Sequence, residues 1–229
     1  PRAFAVQSFA AELADELGRD QREVLLELIG RDRVIDPSAE GMPEDFWNYG
    51  DPYAEFPIET ARLKHVLNLA ADAAGWGGAQ PEGEALGLAV HRSFLTYVGV
   101  AARVRIDGAR IRVPEVQMAV DCGFAANPER IRSQMEGAAV MGMTVALHSA
   151  VTFRNGRVQQ GNFDDYDVVR SVNHPEKVVT HIVDHPFSVH ATGVGEPGVP
   201  PIAPAIANAV ANATGRRFRS LPMGEYLEA

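Results

Sequence analysis

Hydrophobic residues in the first eighty positions recur at the spacing of amphipathic helices. Three segments have this spacing: 3–18, 20–29 and 59–74. Glycine lies at or directly after the end of each segment, where a left-handed residue commonly stops a helix. The intervening segment, 31–57, is irregular and contains several aromatic residues. Because aromatic side chains favour burial, we expect this segment to be an ordered loop.

From residue 85 the pattern changes to the alternation that is typical of strands. Strands are predicted at 86–90, 97–106, 111–120, 151–153 and 178–183. Asp107-Gly108 and Asn155-Gly156 lie beside such runs and predict two tight hairpins. Two later helices are predicted at 128–148, which is apolar on most faces and should be buried, and at 205–214. This order of elements predicts an α+β fold.

The length and composition indicate a globular chain with two regions. The 229 residues, of which 46% are hydrophobic and 22% charged, correspond to roughly one and a half typical domains. We expect a helical N-terminal segment with an ordered loop over residues 1–80. An α+β portion is expected over residues 81–229.

Charge and cysteine content exclude several classes of function. The net charge of −9 argues against nucleic-acid binding, because the phosphate backbone selects basic surfaces. The single cysteine, Cys122, cannot form an intrachain disulfide and has no CxxC partner for an iron–sulfur or structural zinc site. The residues after Pro1 show no export signal, so the compartment stays unknown between bacterial cytoplasm and periplasm.

A stiff loop rich in glycine and proline holds the strongest candidate for catalysis. Glu196 lies in this loop, within the run Gly193-Val-Gly-Glu-Pro-Gly-Val-Pro-Pro201. A carboxylate held there in poor contact with water would have a raised pKa, which suits a general base. The alternative is a surface turn in which the carboxylate is solvated.

Each of the other candidate binding residues also has an ordinary structural interpretation. Gln134, near the start of the predicted 128–148 helix, could offer a donor and an acceptor to a ligand, or it could satisfy backbone groups at the helix start. Gly137 is costly inside a helix and suggests a close approach by a cofactor or by another backbone. His181, His185 and His190 suggest a metal site, but the default interpretation is unrelated histidines at a strand end and in a loop.

Several long motifs in register resemble the large subunit of molybdenum hydroxylases, the xanthine oxidase and aldehyde oxidase family. The motifs are Phe4-Ala-Val-Gln-Ser-Phe-Ala-Ala-Glu-Leu-Ala14, Val120-Asp-Cys-Gly-Phe-Ala-Ala-Asn-Pro128, Gln134-Met-Glu-Gly137, Gly161-Asn-Phe-Asp-Asp-Tyr166 and the run from Gly193 to Pro222. Gly87-Leu-Ala-Val-His-Arg-Ser-Phe94 is most similar to the isoquinoline 1-oxidoreductase β-subunit type. The resemblance implies that the chain is the C-terminal, molybdopterin-binding portion of a larger catalytic unit.

The resemblance also implies roles for individual residues. Glu196 matches the catalytic glutamate of the family, which acts as the base. Gln134 matches the glutamine that contacts the molybdenum cofactor, and Gly195 is adjacent to the base and would present its backbone to the substrate. No protein side chain is expected to bind the molybdenum directly. The implied cofactor is a molybdenum–pyranopterin, for which the cytosine dinucleotide form is one alternative.

The family implies partners, and two further interpretations stay open. The expected partners are the remainder of the large subunit, a [2Fe–2S] subunit, a cytochrome or other electron acceptor, and a small N-heteroaromatic or aldehyde substrate. Water would be the source of oxygen. Alternatively, the chain is a non-catalytic scaffold or interaction subunit that kept the fold. The starting residue, Pro1, and the starting point within the family favour a cut or split chain, which would be a natural subunit, a processed product or an isolated part of a longer protein.

Overall fold

A computed structural model describes residues 1–43 and 46–227 of the chain. The helices in this part are α1 (Arg2–Glu16), α2 (Gln21–Ile29), α3 (Thr60–Ala74), α4 (Pro128–Leu147) and α5 (Ile202–Thr214). The strands are β1 (Val34–Ile35), β2 (Ile58–Glu59), β3 (Glu84–Ser93), β4 (Thr96–Asp107), β5 (Arg110–Asp121), β6 (Phe153–Arg154), β7 (Arg157–Val158) and β8 (Lys177–Ile182). Helix and sheet are interleaved as the α+β prediction requires.

The main sheet has four strands in the order β3-β4-β5-β8. The first three are antiparallel neighbours, and β8 runs parallel to β5. The hairpin between β4 and β5 turns at the predicted Asp107-Gly108 pair, and β6 and β7 form the second predicted hairpin at Asn155-Gly156. The order places the start of β4 next to the ends of β3 and β5, at one edge where chain turns and loops meet.

Helices cover both faces of this sheet. Alternate residues of the strands pack against α2 and α3 on one face and against α4 and α5 on the other. Glycines bring two helices unusually close. A Cβ at Gly99 would lie 2.2 Å from the Val66 carbonyl oxygen of α3, and one at Gly87 would lie 2.3 Å from the Ala205 carbonyl oxygen of α5. The two helix backbones therefore lie directly on the sheet.

The helix ends mostly follow the expected signals, with one correction. Asp20 caps α2 by accepting a hydrogen bond from the Glu23 amide at 3.1 Å, and Gly75 ends α3 in the left-handed conformation. Helix α5 was predicted to begin at residue 205, but it begins at Ile202. Pro204 is accommodated because the first helical turn needs no backbone amide donor at that position.

No helix within residues 1–43 and 46–227 is long and apolar enough to cross a membrane.

Candidate functional site

The loop from Gly193 to Pro201 is fixed at both ends. At its start, the Gly193 amide donates to the Phe94 carbonyl oxygen at 3.1 Å, and the Thr96 hydroxyl donates to the Gly193 carbonyl oxygen at 2.7 Å. The Thr96 and Thr192 hydroxyls are a further 2.6 Å pair. At its end, the loop continues into α5, which packs on the sheet. Its backbone is therefore positioned by the fold.

Gly198 presses the middle of this loop onto α4. A Cβ at Gly198 would lie 2.8 Å from the Ala138 Cβ and 2.9 Å from the Met135 sulfur. Pro197 and Gly198 are buried, whereas Glu196 just before them is exposed. The turn is closed by the Val199 amide, which donates to the Glu196 carbonyl oxygen at 3.0 Å. The backbone at Glu196 is thus held in place while its carboxylate extends outward.

One face of α4 forms the opposite side of the site. Gln134, Gly137 and Met141 follow one another at the three- and four-residue spacing that places side chains on one helix face. The helix begins at Pro128 with Asn127 as its cap, so Gln134 lies in the second turn. Nine of the twenty residues of α4 are buried, so the helix is less buried than predicted, and this face is exposed and is not covered by the rest of the described chain.

The tip of the hairpin between β3 and β4 completes the site. Together, the loop, the α4 face and this tip enclose an open cavity of about 470 Å³. Its wall contains Ser93, Phe94, Gln134, Gly137, Ala138, Met141, Gly195, Glu196, Val199 and Pro200. The structure therefore brings Glu196, Gln134 and Gly195, which were singled out from the sequence, into the wall of the same cavity.

The two exposed polar side chains in this wall, Gln134 and Glu196, are free to bind a ligand. Within the described residues, the side chains of Gln134 and Glu196 make no hydrogen bond or ion pair, and the buried hydroxyl of Ser93 has no hydrogen-bond partner. Cβ atoms built at Gly137 and Gly195 would meet nothing within 4 Å, so a bound molecule can approach the backbone there. Unpaired donors and acceptors beside two bare glycines can bind a polar ligand that lies against the backbone.

The prediction that Glu196 is poorly hydrated is wrong, because the described part of the chain leaves this residue exposed. Glu196 is exposed, whereas Pro197 and Gly198, which follow it, are buried. The prolines fix the backbone of the loop but supply no cover for the carboxylate. Any desolvation of Glu196 must therefore come from a bound molecule or from additional polypeptide.

The three histidines that suggested a metal site do not lie together. The His181 ring lies 2.8 Å from the Gln117 amide oxygen, the His185 ring lies 2.8 Å from an Asp121 carboxylate oxygen, and the His190 ring contacts Phe56. Across residues 1–43 and 46–227, no three His, Cys, Asp or Glu side chains are grouped to hold a metal ion.

Arg62, Asp121 and His185 form a cluster whose side chains pair with one another. This closed cluster lies at the edge of the main sheet where β4 begins and β5 ends. Asp121 is 1% exposed and accepts hydrogen bonds from the Arg62 guanidinium, one of them at 2.8 Å from Nε, and from the Gly123 amide at 3.3 Å. Burial raises the pKa of Asp121, but the hydrogen bonds and charge of Arg62 outweigh burial and leave the pKa below its ordinary value of 3.8. This cluster links α3, β5 and the segment after β8.

Cys122 follows this cluster and is buried. Burial, together with the neighbouring Asp121 charge, raises the pKa of its thiol to about 11. The thiol is therefore protonated at neutral pH, which makes it a poor nucleophile or metal ligand.

Sequence reasoning missed the contribution of the hairpin tip. The predicted strands ended at residue 90 and resumed at residue 97, which left Ser93 and Phe94 unassigned. Their turn contains no Gly or Asn at the positions where tight hairpins usually place them. The only available signal was their inclusion in the motif Gly87–Phe94.

Comparison with known proteins relates the chain to a molybdopterin-binding domain and to subunits of oxidoreductases. Residues 67–175 match the family described as the molybdopterin cofactor-binding domain, a range that includes Ser93 and Gln134. The chain is 36% identical to the β-subunit of isoquinoline 1-oxidoreductase from Brevundimonas diminuta over 71% of this chain and 20% of that protein. It is 27% identical to a subunit of nicotinate dehydrogenase from Pseudomonas putida over 97% of this chain and 18% of that protein.

The fold is also similar to that of a solved structure. Quinoline 2-oxidoreductase from Pseudomonas putida 86 superposes with a TM-score of 0.52 and 22% identity, over 57% of this chain and 18% of that one. The chain spans only about a fifth of the length of these relatives.

Proposed function

We propose that the chain is part of a molybdenum hydroxylase large subunit and forms the base-bearing side of the active site, since residues 67–175 match a molybdopterin cofactor-binding domain. The whole enzyme would hydroxylate an N-heteroaromatic compound or oxidise an aldehyde, with water as the oxygen source. The observation that carries the proposal is the meeting of Glu196 and Gln134, both unpaired among the described residues, in one cavity wall.

The cavity wall offers the groups that such a cofactor needs. Gln134 would hold the cofactor through its side-chain amide, which can donate and accept hydrogen bonds. Gly137 and Gly195 leave space for the cofactor or the substrate to lie against the backbone. When bound, the molybdenum–pyranopterin cofactor, in the cytosine dinucleotide or another form, supplies the two-electron oxidation of the substrate carbon.

Glu196 would perform the proton transfer. One of its carboxylate oxygens accepts a proton from the oxygen nucleophile that derives from water, which increases the electron density on that oxygen. The fixed loop keeps the carboxylate at the cavity, so the base does not have to be ordered for each turnover. A bound cofactor and substrate would cover the exposed carboxylate and provide the desolvation that the described residues lack.

The enzyme would need other polypeptides. We propose the remainder of the large subunit as the first partner, because the chain spans only about a fifth of its relatives. A [2Fe–2S] subunit would take the electrons and pass them to a cytochrome or another acceptor. The division of this chain at residue 80 stays a prediction. Mass spectrometry of the native complex, with metal and pterin analysis, tests these assignments together.

Replacement of the base provides the decisive test. In the whole enzyme, Glu196→Gln keeps the shape and removes the base, and we expect kcat to fall at least about 100-fold, the lower range for general acid–base catalysis. Glu136→Gln changes an exposed glutamate of α4 outside the cavity wall and should stay within about twofold. Equal activity of Glu196→Gln and the unmodified enzyme, or an absence of molybdenum and pterin from both, would favour the non-catalytic alternative.

A further inference from the structure

The chain between α4 and β8 contains an arm, residues 149–168, that is attached to the fold only near its two ends. At the first end, the Ser149 hydroxyl donates to the Asp167 carbonyl oxygen at 2.9 Å. Directly after the arm, the buried Val169 donates through its amide to the Thr144 hydroxyl of α4 at 3.2 Å. None of the residues of the arm is buried by the rest of the described chain. The arm therefore adds nothing to the core that this chain forms.

Hydrogen bonds within the arm nevertheless give it a defined conformation. The Gln159 amide donates to the Thr152 carbonyl oxygen at 2.9 Å, and the Thr152 amide donates to the Gln160 side-chain oxygen at 2.7 Å. Farther along, the Asp165 carboxylate accepts a hydrogen bond from the Gly161 amide at 2.8 Å. The two strands of the arm, β6 and β7, are exposed along their length and, among the described strands, pair only with each other. Because a lone two-stranded hairpin is marginally stable in water, this conformation favours contact with further polypeptide.

Large apolar side chains lie along the arm and face water. They are Val151, Phe153, Val158 and Phe163, and the two phenylalanines are 70% and 75% exposed. Phe153 and Val158 are direct cross-strand partners, so they lie on one face of the hairpin. Single exposed apolar residues are normal on a protein surface, but four on one ordered arm indicate an interaction surface.

The comparisons indicate which polypeptide covers this surface. The arm lies within residues 67–175, the range that matches the molybdopterin cofactor-binding domain, so it is part of that domain. The chain spans about a fifth of the length of its relatives, which leaves about four fifths of each relative outside this sequence. Permanent interfaces are more apolar than the interfaces of transient electron-transfer encounters. An apolar arm therefore favours a permanently attached part of the same subunit over an electron-transfer partner.

We propose that the arm docks onto the remainder of the large subunit and that Phe153 and Phe163 are buried at this contact. The inference rests on the proposed function, in which that remainder is the first partner. Because the hydrogen bonds of the arm already fix its conformation, docking costs little conformational entropy. A second copy of this chain and the [2Fe–2S] subunit are the competing occupants, and the experiment distinguishes them.

Photo-cross-linking in the whole enzyme identifies the occupant. Phe163→p-benzoylphenylalanine places a photoreactive ring at the expected contact, and irradiation joins this ring to the polypeptide that lies against it. Digestion and mass spectrometry should then find a linked peptide of the large subunit from outside residues 1–229. Glu27→p-benzoylphenylalanine is the control, because Glu27 is an exposed charged residue of α2 outside the arm and charged residues are depleted at interface cores. It should give little linked peptide.

Thiol accessibility provides a second measurement. Phe153→Cys and Glu27→Cys each introduce one thiol. The native Cys122 does not compete, because it is buried and its thiol has a pKa raised to about 11. In the whole enzyme, labelling by a maleimide, followed through the masses of the labelled peptides, should be at least about tenfold slower at position 153 than at position 27. Unfolding in urea should remove this difference.

Several results would overturn the docking of the arm. They are a peptide linked from a second copy of the chain or from the [2Fe–2S] subunit, no linked peptide at position 163, equal yields at positions 163 and 27, and equal labelling rates at positions 153 and 27. Failure of the proposed function is distinguishable from all of these. The unmodified enzyme would then lack molybdenum and pterin, while the linked peptide would still identify what covers the arm.

Discussion

Two groups of polar side chains lie at the same edge of the main sheet and differ in how their hydrogen-bonding capacity is used. The cluster of Arg62, Asp121 and His185 is internally paired and mostly buried. The cavity wall with Glu196 and Gln134 has side chains that are unpaired within the described residues and exposed. Paired buried groups stabilise the arrangement of elements, whereas unpaired exposed groups remain available for a ligand. The difference separates the part of this edge that maintains the fold from the part that would perform chemistry.

The strongest test of this comparison removes a charge from the closed cluster. Arg62→Met leaves the buried Asp121 carboxylate without its main partner, and we expect a loss of about 3 kcal/mol in the free energy of unfolding. The measurement is urea unfolding of the purified protein. Arg19→Met breaks a surface pair with Glu27 whose side chains are 42% and 66% exposed, and it should cost less than about 1 kcal/mol. Equal losses in the two variants would contradict the structural role of the cluster.

Two glycines of the loop that carries Glu196 sharpen the comparison. Gly198→Ala would place a Cβ 2.8 Å from the Ala138 Cβ, and we expect overpacking to cost about 2 kcal/mol of stability. Gly195→Ala meets nothing within 4 Å and should leave the unfolding free energy within about 0.5 kcal/mol. If the cavity binds a ligand against this backbone, Gly195→Ala should nevertheless raise KM. A stable Gly198→Ala protein with a normal KM would show that the packing of the loop on α4 is not required.

Replacement of Gln134 should have the opposite effect to replacement of Arg62, because it should change activity and not stability. Because its side chain pairs with nothing in the described chain, Gln134→Ala should leave the melting temperature within about 2 °C. Loss of a hydrogen bond to the cofactor should lower kcat/KM about tenfold, equivalent to about 1.4 kcal/mol. Thermal denaturation and steady-state kinetics on the same preparation measure both quantities. A destabilised variant would instead indicate the backbone-satisfying role that the sequence left open.

The smallest expected effect concerns acid stability. Asp121 has a lowered pKa in the folded protein, so its contribution to stability is present above its ordinary value of 3.8 and is lost as the pH falls through the lower folded value. In Asp121→Asn, the dependence of the melting temperature on pH should therefore become shallower below about pH 4. A scan of melting temperature from pH 6 to pH 2.5 checks this. An unchanged slope would mean that another titrating group determines how the melting temperature falls at low pH.

Regular elements were predictable because their signals are local. The helical spacing, the glycine stops and the Asp107-Gly108 and Asn155-Gly156 turns each depend on a few neighbouring residues. Gln134 and Glu196 were identified by patterns and by family resemblance, and the fold brings them into one cavity wall. Their roles in cofactor binding and catalysis stay predictions.

The missed features depend on contacts between distant segments. The turn at Phe94 lacks turn-forming residues and is held by Gly193, which is about a hundred positions later in the chain. Likewise, the exposure of Glu196 is decided by the packing of Gly198 on α4. Composition of the loop predicted its stiffness but contained no information about which side would face water.

The close approach of α5 to Gly87 has a thermodynamic consequence for the cavity. Because α5 begins directly after Pro201 and rests on the sheet, the loop with Glu196 has both ends attached to a rigid layer before any ligand arrives. A ligand therefore does not have to restrict the conformational freedom of this loop, and that entropic term is already included in the free energy of folding. Binding at this cavity should accordingly show a smaller entropic penalty than binding at a site built from a mobile loop.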